Sequence, residues 1–358
     1  MSISKSREEK FRMRSGQAAR GPTVLITGGN GFLGQYVIRA LLEEFPRASL
    51  TILDKQGPAV DLFGLSERPE ISTVLADITR YTTIESAFAG KDAVIHLAGL
   101  VTTSRKDRKS LLAVNVEGTL NVLRAIAAHH VSRLVHVSSV AALGYNGNGG
   151  QPVDEDFAFD WKIAGRRKKF YMLTKHLADE AVLQRMEEGL DAVVLHPSLM
   201  FGPGDLSNSA RFIRAMQQGR IAFNMPGGMS VMHVRDAAEG IRAVMKNGVR
   251  RGRYLLSGDN YTFRDINRIT AEGLGVRPPR WNVPRAAGPF LYRLARFLEA
   301  ASPKKIEISA EDVDNLFKFR YCDNSRALKD LQWRPSVSFP ETIRETVDWL
   351  KTHGLLEE

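Results

Sequence analysis

The sequence has little of what secreted and membrane-spanning proteins rely on. Its single cysteine, Cys322, excludes an internal disulfide framework and fits a reducing compartment. No apolar run approaches the roughly 18 residues that a bilayer-spanning helix needs. Residues 1–21 also lack the apolar segment of a signal peptide. These absences predict a soluble, cytoplasmic protein.

Acidic residues are fewer than basic ones, 40 against 50, which gives a formal net charge of +10. Much of the excess lies in the polar tail 1–21, which we expect to be disordered, and in residues 166–169 and 304–305. These clusters lack the repeated aromatic residues of a base-stacking surface. We therefore expect no nucleic-acid partner, whereas attraction to an acidic substrate or an anionic membrane surface stays open.

A glycine-punctuated turn is the most informative feature that is present. The apolar run 24–27 leads into glycines at positions 28, 31 and 34 and then into a helical pattern. These glycines allow a tight turn, close approach of backbone to a pyrophosphate, and close packing of helix on strand. The helix N-terminus offers free N–H groups to phosphates. Asp54 follows about 20 residues later, where a carboxylate can bind ribose hydroxyls, so the segment predicts dinucleotide binding.

The order of the predicted elements indicates an α/β fold built on a Rossmann-type, doubly wound parallel sheet. Apolar strands alternate with amphipathic stretches, including a long helix over 111–129, and the strands are predicted at 23–27, 49–53, 72–76, 93–97, 133–138 and 191–196. Ligands bind at the carboxyl ends of such strands. The residues predicted there are Gly28, Asp54, Asp77, Ala98 and Ser139.

Beyond Leu195 the sequence becomes turn-rich and its helices are interrupted by prolines. We expect a nucleotide-binding domain from 22–196 plus about 229–258, and a smaller, mostly helical substrate lobe from about 197–228 plus 259–358. Residues 286–299 predict a basic amphipathic helix. We expect it to pack against the nucleotide-binding domain; contact with lipid or with an apolar substrate is the alternative.

Tyr171 and Lys175 are four residues apart in a predicted helix, so their side chains share one face. A free tyrosine has a pKa near 10. A nearby ammonium lowers that pKa and makes the phenol a usable general acid or base. A hydroxyl at the end of the fifth strand would hydrogen-bond the substrate oxygen, and spacing alone leaves Ser138 and Ser139 open.

Together these residues resemble the extended short-chain dehydrogenase/reductase family. The resemblance covers 23–350 and rests on the glycine turn, Asp77, 96–99, 115–119, 137–139, 171–175, 197, 202–205, 234–238 and 331–335. It implies catalytic roles for Ser139, Tyr171 and Lys175, no metal, and a homodimer. It also implies that Asn115 orients the cofactor loop or a proton-relay water. The implied NAD(P)-binding residues are Gly28, Asn30, Gly31, Phe32, Leu33, Gly34, Asp54, Asp77, Ile78, Leu97, Ala98, Gly99, Asn115, Val137, Tyr171, Lys175, Pro197 and Ser198.

Cofactor choice depends on Asp54, whose carboxylate suits a free 2′-hydroxyl and repels a 2′-phosphate. This favours NAD, while the adjacent Lys55 keeps NADP as the alternative. Two departures from the family pattern stand out. His196 replaces the usual arginine before Pro197, and Arg166, Arg167, Lys168 and Lys169 form a basic run before Tyr171. That run is interpreted as a solvated loop or, alternatively, as a rim that attracts an anionic substrate.

The segment 193–205 is similar to the branch of 3β-hydroxysteroid dehydrogenases and dihydroflavonol reductases. The methionine-rich residues 222–233 fit either core packing or the wall of an apolar pocket. We therefore expect an oxidoreductase that interconverts a secondary alcohol and a ketone on a fairly apolar molecule. The alternatives are a nucleotide-sugar epimerase or dehydratase and, from another class, a dinucleotide-sensing regulator without turnover.

Overall fold

The computed structural model describes residues 21–145, 151–247, 249–302, 306 and 308–356. The predicted basic tail, apart from its last residue, lies outside the described residues. So do Lys304 and Lys305.

Strands and helices alternate along the first two thirds of the chain. The strands are β1 Thr23–Thr27, β2 Ser49–Asp54, β3 Ile71–Leu75, β4 Ala93–His96, β5 Arg133–Val137, β6 Asp191–Pro197, β7 Leu199–Phe201, β8 Phe223–Asn224, β9 Gly228–His233, β10 Gly252–Leu256, β11 Asn260–Thr262, β12 Trp281–Asn282 and β13 Phe319–Arg320. The α-helices are α1 Phe32–Glu44, α2 Tyr81–Ile84, α3 Arg108–Leu111, α4 Gly118–Ala128, α5 Trp161–Arg167, α6 Phe170–Glu187, α7 Asn208–Gln217, α8 Val234–Asn247, α9 Phe263–Leu274, α10 Gly288–Ala301, α11 Ala310–Leu316, α12 Ser325–Asp330 and α13 Phe339–Thr352.

The main sheet has seven parallel strands within the described residues, in the order β10-β6-β5-β4-β1-β2-β3. Strands β4 and β5 are buried along their whole length because helices cover both faces of the sheet. One apolar layer contains side chains of α1 and α8, and the opposite layer contains side chains of α4 and α6. The predicted α/β, doubly wound fold is confirmed, and the six predicted strands begin and end within one residue of their expected positions.

One strand of the region predicted for the nucleotide-binding domain lies outside the main sheet. The expected domain boundary near residue 229 assigns β9 to the nucleotide-binding domain, but β9 pairs with β7, β11 and β13 in a small separate sheet. Gly227 and Gly228 permit this pairing, because a Cβ on Gly227 would lie 2.4 Å from the Lys318 carbonyl oxygen. Such a partner, some 90 residues away in the chain, leaves no local signal in the sequence. The division into two domains itself stays a prediction.

The predicted helix over 111–129 is part of a longer helical stretch. A wider π-turn, Leu112–Glu117, joins α3 to α4 and carries Asn115. Within the described residues, Arg105–Ala128 is the one helical stretch long and apolar enough to cross a membrane by length and composition. Its residues Val122, Leu123 and Ile126 pack into the protein core, so we interpret it as a core helix.

His233 ends β9 as a buried neutral ring. Its Nδ1 accepts the backbone N–H of Arg235 at 2.9 Å, so this nitrogen carries no proton, and Nε2 lies 3.2 Å from the Glu345 carboxylate. Burial lowers the pKa of His233 to about 4, helped by the charge of Arg235. The unfolded chain therefore takes up this proton more readily than the folded one.

We expect this histidine to make the fold sensitive to acid. Above the unfolded pKa near 6.5 the ring is neutral in both states, and the folded state keeps its full stability. As the pH falls from there towards 4, the unfolded chain binds a proton that the folded chain does not, and stability is lost. The free energy of unfolding from urea titrations should drop by about 2 kcal/mol between about pH 8 and pH 5 on this account. In His233→Asn, whose amide oxygen can still accept the Arg235 N–H, that part of the drop should be missing. Equal pH dependence in both proteins would contradict the assignment.

Candidate active site

The glycine turn between β1 and α1 has the shape of a phosphate cradle. Gly28 adopts φ +73°, and a Cβ there would lie 2.8 Å from the Ala98 backbone nitrogen. A Cβ on Gly34 would lie 2.5 Å from the Gly28 carbonyl oxygen. Gly31 caps α1 without any side-chain hydrogen bond, so the first-turn amides of Phe32 and Leu33 stay available to an anion. These observations fit the pyrophosphate of a dinucleotide.

Two carboxylates and an asparagine lie beside this turn, where β2 and β3 end. The Asp54 carboxylate accepts the backbone N–H of Asn30 at 3.1 Å and of Lys55 at 2.7 Å, which fixes its orientation. The Lys55 ammonium lies 3.4 Å from the Asp77 carboxylate. Burial alone would raise the pKa of Asp77, but hydrogen bonds from Thr79 and the Lys55 charge hold it below its usual value. Because Lys55 is paired with Asp77, the geometry favours a ribose hydroxyl over a phosphate at Asp54.

Replacing Asp54 by asparagine should weaken discrimination between the two cofactors. Loss of a charged acceptor costs about 1.5–3 kcal/mol, so the ratio of NADPH to NADH dissociation constants should fall by about 10- to 100-fold. Fluorescence titration of each cofactor measures the ratio. Glu67→Gln, at an exposed position, serves as the control. An unchanged ratio in Asp54→Asn would assign cofactor choice to other residues.

Asn115 holds the loop that follows β4. Its Oδ1 accepts the Leu100 N–H at 2.8 Å, and its Nδ2 donates to the Leu100 carbonyl at 3.0 Å and to the Thr174 hydroxyl at 3.2 Å. A Cβ on Gly99 would lie 3.3 Å from the Lys175 Nζ and 3.4 Å from the Asn115 Oδ1. The loop 97–100 therefore lies directly against Lys175. Of the two roles expected for Asn115, this geometry favours positioning of the loop.

Helix α6 carries Tyr171 and Lys175 on one face, as the spacing predicts. The Ser139 hydroxyl is close enough to Tyr171 to lower the pKa of the phenol, and it also accepts the Ala141 N–H at 3.2 Å as the cap of a short 3₁₀ turn. Ser138 is buried, and its hydroxyl has no partner among the described residues. Of the two serines that spacing left open, Ser139 is the one that the structure brings to Tyr171.

The acidity of Tyr171 differs from the sequence prediction. The sequence predicts that Lys175 lowers the pKa of the phenol, whereas in the structure burial raises this pKa. The charges of Asp179 and Glu311 raise the pKa further, and the Ser139 hydroxyl acts in the opposite direction. Burial lowers the pKa of the Lys175 ammonium, and the negative charge of Asp179 partly opposes this decrease. Spacing identifies which groups meet, whereas desolvation and distant carboxylates set their proton affinities.

A buried network of histidines lies beneath these residues and was missed by the sequence analysis. Asp179 Oδ2 lies 2.7 Å from His196 Nε2, and its Oδ1 lies 3.3 Å from His136 Nε2. Burial would raise the pKa of Asp179, but the two histidines hold it far below its usual range. The His96 ring lies 5.3 Å from that of His136. The sequence did contain a signal for Asp179, because this residue lies one helical turn beyond Lys175 on the same face as Tyr171. His196, the departure from the family pattern, serves here as a partner of Asp179.

The basic run before α6 is only partly the solvated loop that one interpretation expects. Arg166 and Lys168 are exposed, but Lys169 is buried, and its ammonium lies 2.9 Å from the Asp314 carboxylate and 2.6 Å from the Asn315 amide oxygen. Arg167 stacks on Tyr292. Two of the four cations therefore attach α11 and α10 to the segment that leads into α6, rather than facing solvent.

Glu311, on α11, is a second group that the sequence analysis missed. It is buried, and burial raises its pKa to about 7 against the opposing charge of Lys169. Its charge acts on Tyr171. No local pattern predicts this carboxyl, because 140 residues separate it from Tyr171.

The remaining predicted cofactor residues lie at or just beyond the carboxyl ends of main-sheet strands. Val137 and Pro197 end β5 and β6, and Leu97 follows β4. Ser198 is buried, with its N–H donating to the Leu256 carbonyl at 2.8 Å. Ile78 packs so closely against α4 that a Cβ on Gly118 would lie 2.6 Å from its Cδ1. The predicted set is thus grouped at one edge of the sheet, where dinucleotides bind in such folds.

Residues 24–256 match the family model described as the NAD dependent epimerase/dehydratase family. The chain belongs to this family. It is 26% identical over 343 residues to a putative dihydroflavonol 4-reductase of Synechocystis, covering 93% of this chain and 95% of the relative. It is also 26% identical over 341 residues to sterol demethylase protein B of Methylococcus capsulatus, covering 93% and 100%.

Solved structures agree with the fold. One is a dTDP-glucose 4,6-dehydratase, DesIV, from Streptomyces venezuelae with NAD bound, at TM-score 0.74 and 21% identity, covering 94% of this chain and 99% of that one. Another is a UDP-glucose 4-epimerase from Thermus thermophilus in complex with NAD, at TM-score 0.70 and 22% identity, covering 92% and 99%. Family membership confirms the predicted resemblance, the enzymatic character of the chain and NAD as its cofactor. The dimer and the cytoplasmic location stay predictions.

Proposed function

We propose that this protein is an NAD-dependent reductase or dehydrogenase that interconverts a ketone and a secondary alcohol on a fairly apolar small molecule. The observation that carries the proposal is that Tyr171 and Lys175 lie one turn apart on α6, with Lys175 against the loop 97–100 and the Ser139 hydroxyl close enough to act on the phenol. A phenol, a hydroxyl and an ammonium grouped in this way are what is needed to move a proton to or from an alcohol oxygen. A regulator without turnover would have no use for this set.

Each of the three groups has a role that its surroundings support. Tyr171 donates a proton to the substrate oxygen in reduction and takes it back in oxidation. Burial raises the pKa of Tyr171, so the phenol is protonated at neutral pH and suited to the donor role. Ser139 hydrogen-bonds the same oxygen, and Lys175 supplies positive charge near the cofactor loop. NAD, when bound, accepts or supplies the hydride.

The relatives support an apolar substrate. They include proteins named as a putative dihydroflavonol 4-reductase of Synechocystis and an anthocyanidin reductase of Arabidopsis thaliana, both 26% identical to this chain. The methionine-rich segment adds less than the sequence suggests. Met232 packs in the main core, and Met229 Sδ lies 3.8 Å from the Arg320 guanidinium. Core packing therefore explains Met232, and the substrate class rests on the relatives.

A cofactor-coupled substrate screen tests the proposal. The purified chain is given NADH and ketosteroids, flavanonols, simple cyclic and acyl ketones, or UDP- and GDP-sugars. Net NADH oxidation with an apolar ketone is the expected result. Conversion of a nucleotide sugar without net NADH loss would replace the proposal with the epimerase or dehydratase alternative. Tight NADH binding with no conversion of any compound would instead favour the regulator.

A further inference from the structure

Helix α10 turns its apolar side towards solvent. Phe290, Leu294, Phe297 and Leu298 are 67%, 43%, 68% and 49% exposed, and Ala295 is the one buried residue of this helix. At 100° per residue these four side chains fall within an arc of about 100°, the width of an ordinary core-facing stripe. In a surface helix such a stripe normally packs against the core.

Polar contacts fix α10 in this orientation. On its inner side, Glu299 lies 3.6 Å from Arg105, and the Tyr292 hydroxyl accepts a hydrogen bond from the same guanidinium at 3.4 Å. The Arg167 guanidinium lies over the ring of Tyr292, 4.5 Å from the ring centre. These contacts join the polar side of α10 to residues 105 and 167, within the range predicted for the nucleotide-binding domain. Its apolar side remains uncovered among the described residues.

The charge of the chain that leads into α10 and runs along it indicates what covers this face. Residues 273–298 contain five arginines and no aspartate or glutamate. Four of them, Arg277, Arg280, Arg285 and Arg293, are exposed. Trp281 lies on β12, the strand that precedes α10 in the chain, and pairs with Phe223 of β8; the two side chains are 70% and 53% exposed. Exposed aromatic residues with arginines and no acid match the chemistry of an anionic lipid–water interface.

We propose that α10 docks this protein onto an anionic lipid bilayer, lying in the plane of the interface with Phe290 and Phe297 among the acyl chains and the arginines among the headgroup phosphates. A second copy of the chain fits less well. In a two-fold contact the same patch meets itself, and the arginines of this segment would face each other without a carboxylate between them. The proposal does not depend on the substrate class, so the two can fail separately.

Vesicle co-sedimentation of the full chain tests the proposal. At low salt the protein should bind vesicles of equimolar phosphatidylcholine and phosphatidylserine, and should bind pure phosphatidylcholine vesicles less. Added salt should weaken binding because it screens the arginines. The double variant Phe290→Ser/Phe297→Ser should lower the partition coefficient by at least about tenfold, since both side chains leave the acyl region.

A matched variant isolates α10 from other basic or apolar surface. Leu75→Ser replaces a side chain that is 65% exposed on the edge strand β3, and should leave vesicle binding unchanged. NADH binding checks that each variant is folded. The proposal is overturned if the unaltered chain does not bind the vesicles. It is also overturned if the double variant binds equally well, because other basic surface would then be responsible. A dimer that the double variant dissolves, with no vesicle binding, would identify a second copy as the occupant instead.

Discussion

Replacing Tyr171 by phenylalanine should lower kcat by about two to four orders of magnitude, the usual contribution of a positioned general acid or base. The substitution removes one oxygen and leaves the aromatic ring in place. Ser139 would keep its hydrogen bond from Ala141 but lose its phenol partner. Steady-state NADH oxidation with the best ketone of the screen measures the effect.

The dissociation constant of NADH separates chemistry from binding in this variant. It should change little in Tyr171→Phe, because the glycine turn and Asp54 are untouched. Tyr81→Phe, on the short helix α2, should retain full activity and controls for loss of a phenol elsewhere. Activity within about tenfold of the unaltered chain would exclude Tyr171 as the proton donor.

Replacing Asp179 by alanine should lower the free energy of unfolding by about 3–5 kcal/mol, because buried His196 loses its hydrogen-bond partner and buried His136 loses the carboxylate beside it. The carboxylate of Asp179 has its pKa held far below the usual range. Its contribution is therefore present above the unfolded pKa near 3.9 and is lost as pH falls below that value. Urea unfolding at neutral pH measures the loss, and the difference between variant and parent should shrink in strong acid.

Two further variants make this result specific. Asp179→Asn keeps the shape and one acceptor oxygen, so its loss should be smaller. Glu187→Ala, near the exposed end of the same helix, should change stability by less than about 0.5 kcal/mol. A deficit below about 1 kcal/mol in Asp179→Ala would show that the histidines find other partners.

The main sheet and the cofactor turn were predictable from local sequence. Buried parallel strands are near-continuous apolar runs, so β1, β4 and β5 can be recognised in the sequence. The glycines at 28, 31 and 34 lie in one short segment with a recognisable spacing. Tyr171 and Lys175 were predictable for the same reason, because helix geometry alone puts them on one face.

Other features depend on partners far away in the chain. Lys169 is buried beside Asp314, and β9 pairs with β13 outside the main sheet. Ser139 rather than Ser138 meets Tyr171, a choice made by the packing of α6 against the turn after β5. The pKa of Tyr171 rises because of burial and of a carboxyl 140 residues away, neither of which a four-residue spacing can encode.

The sequence by itself determined the fold class, the dinucleotide turn and the Tyr171–Lys175 pair, because each rests on periodicity or geometry within a single element. Tertiary structure alone decided the proton affinities of the site, the histidine network around Asp179 and the outward orientation of α10. Periodicity defines which face of a helix is apolar, but long-range polar contacts, here those of Arg105 and Arg167, decide whether that face points to the core or to solvent.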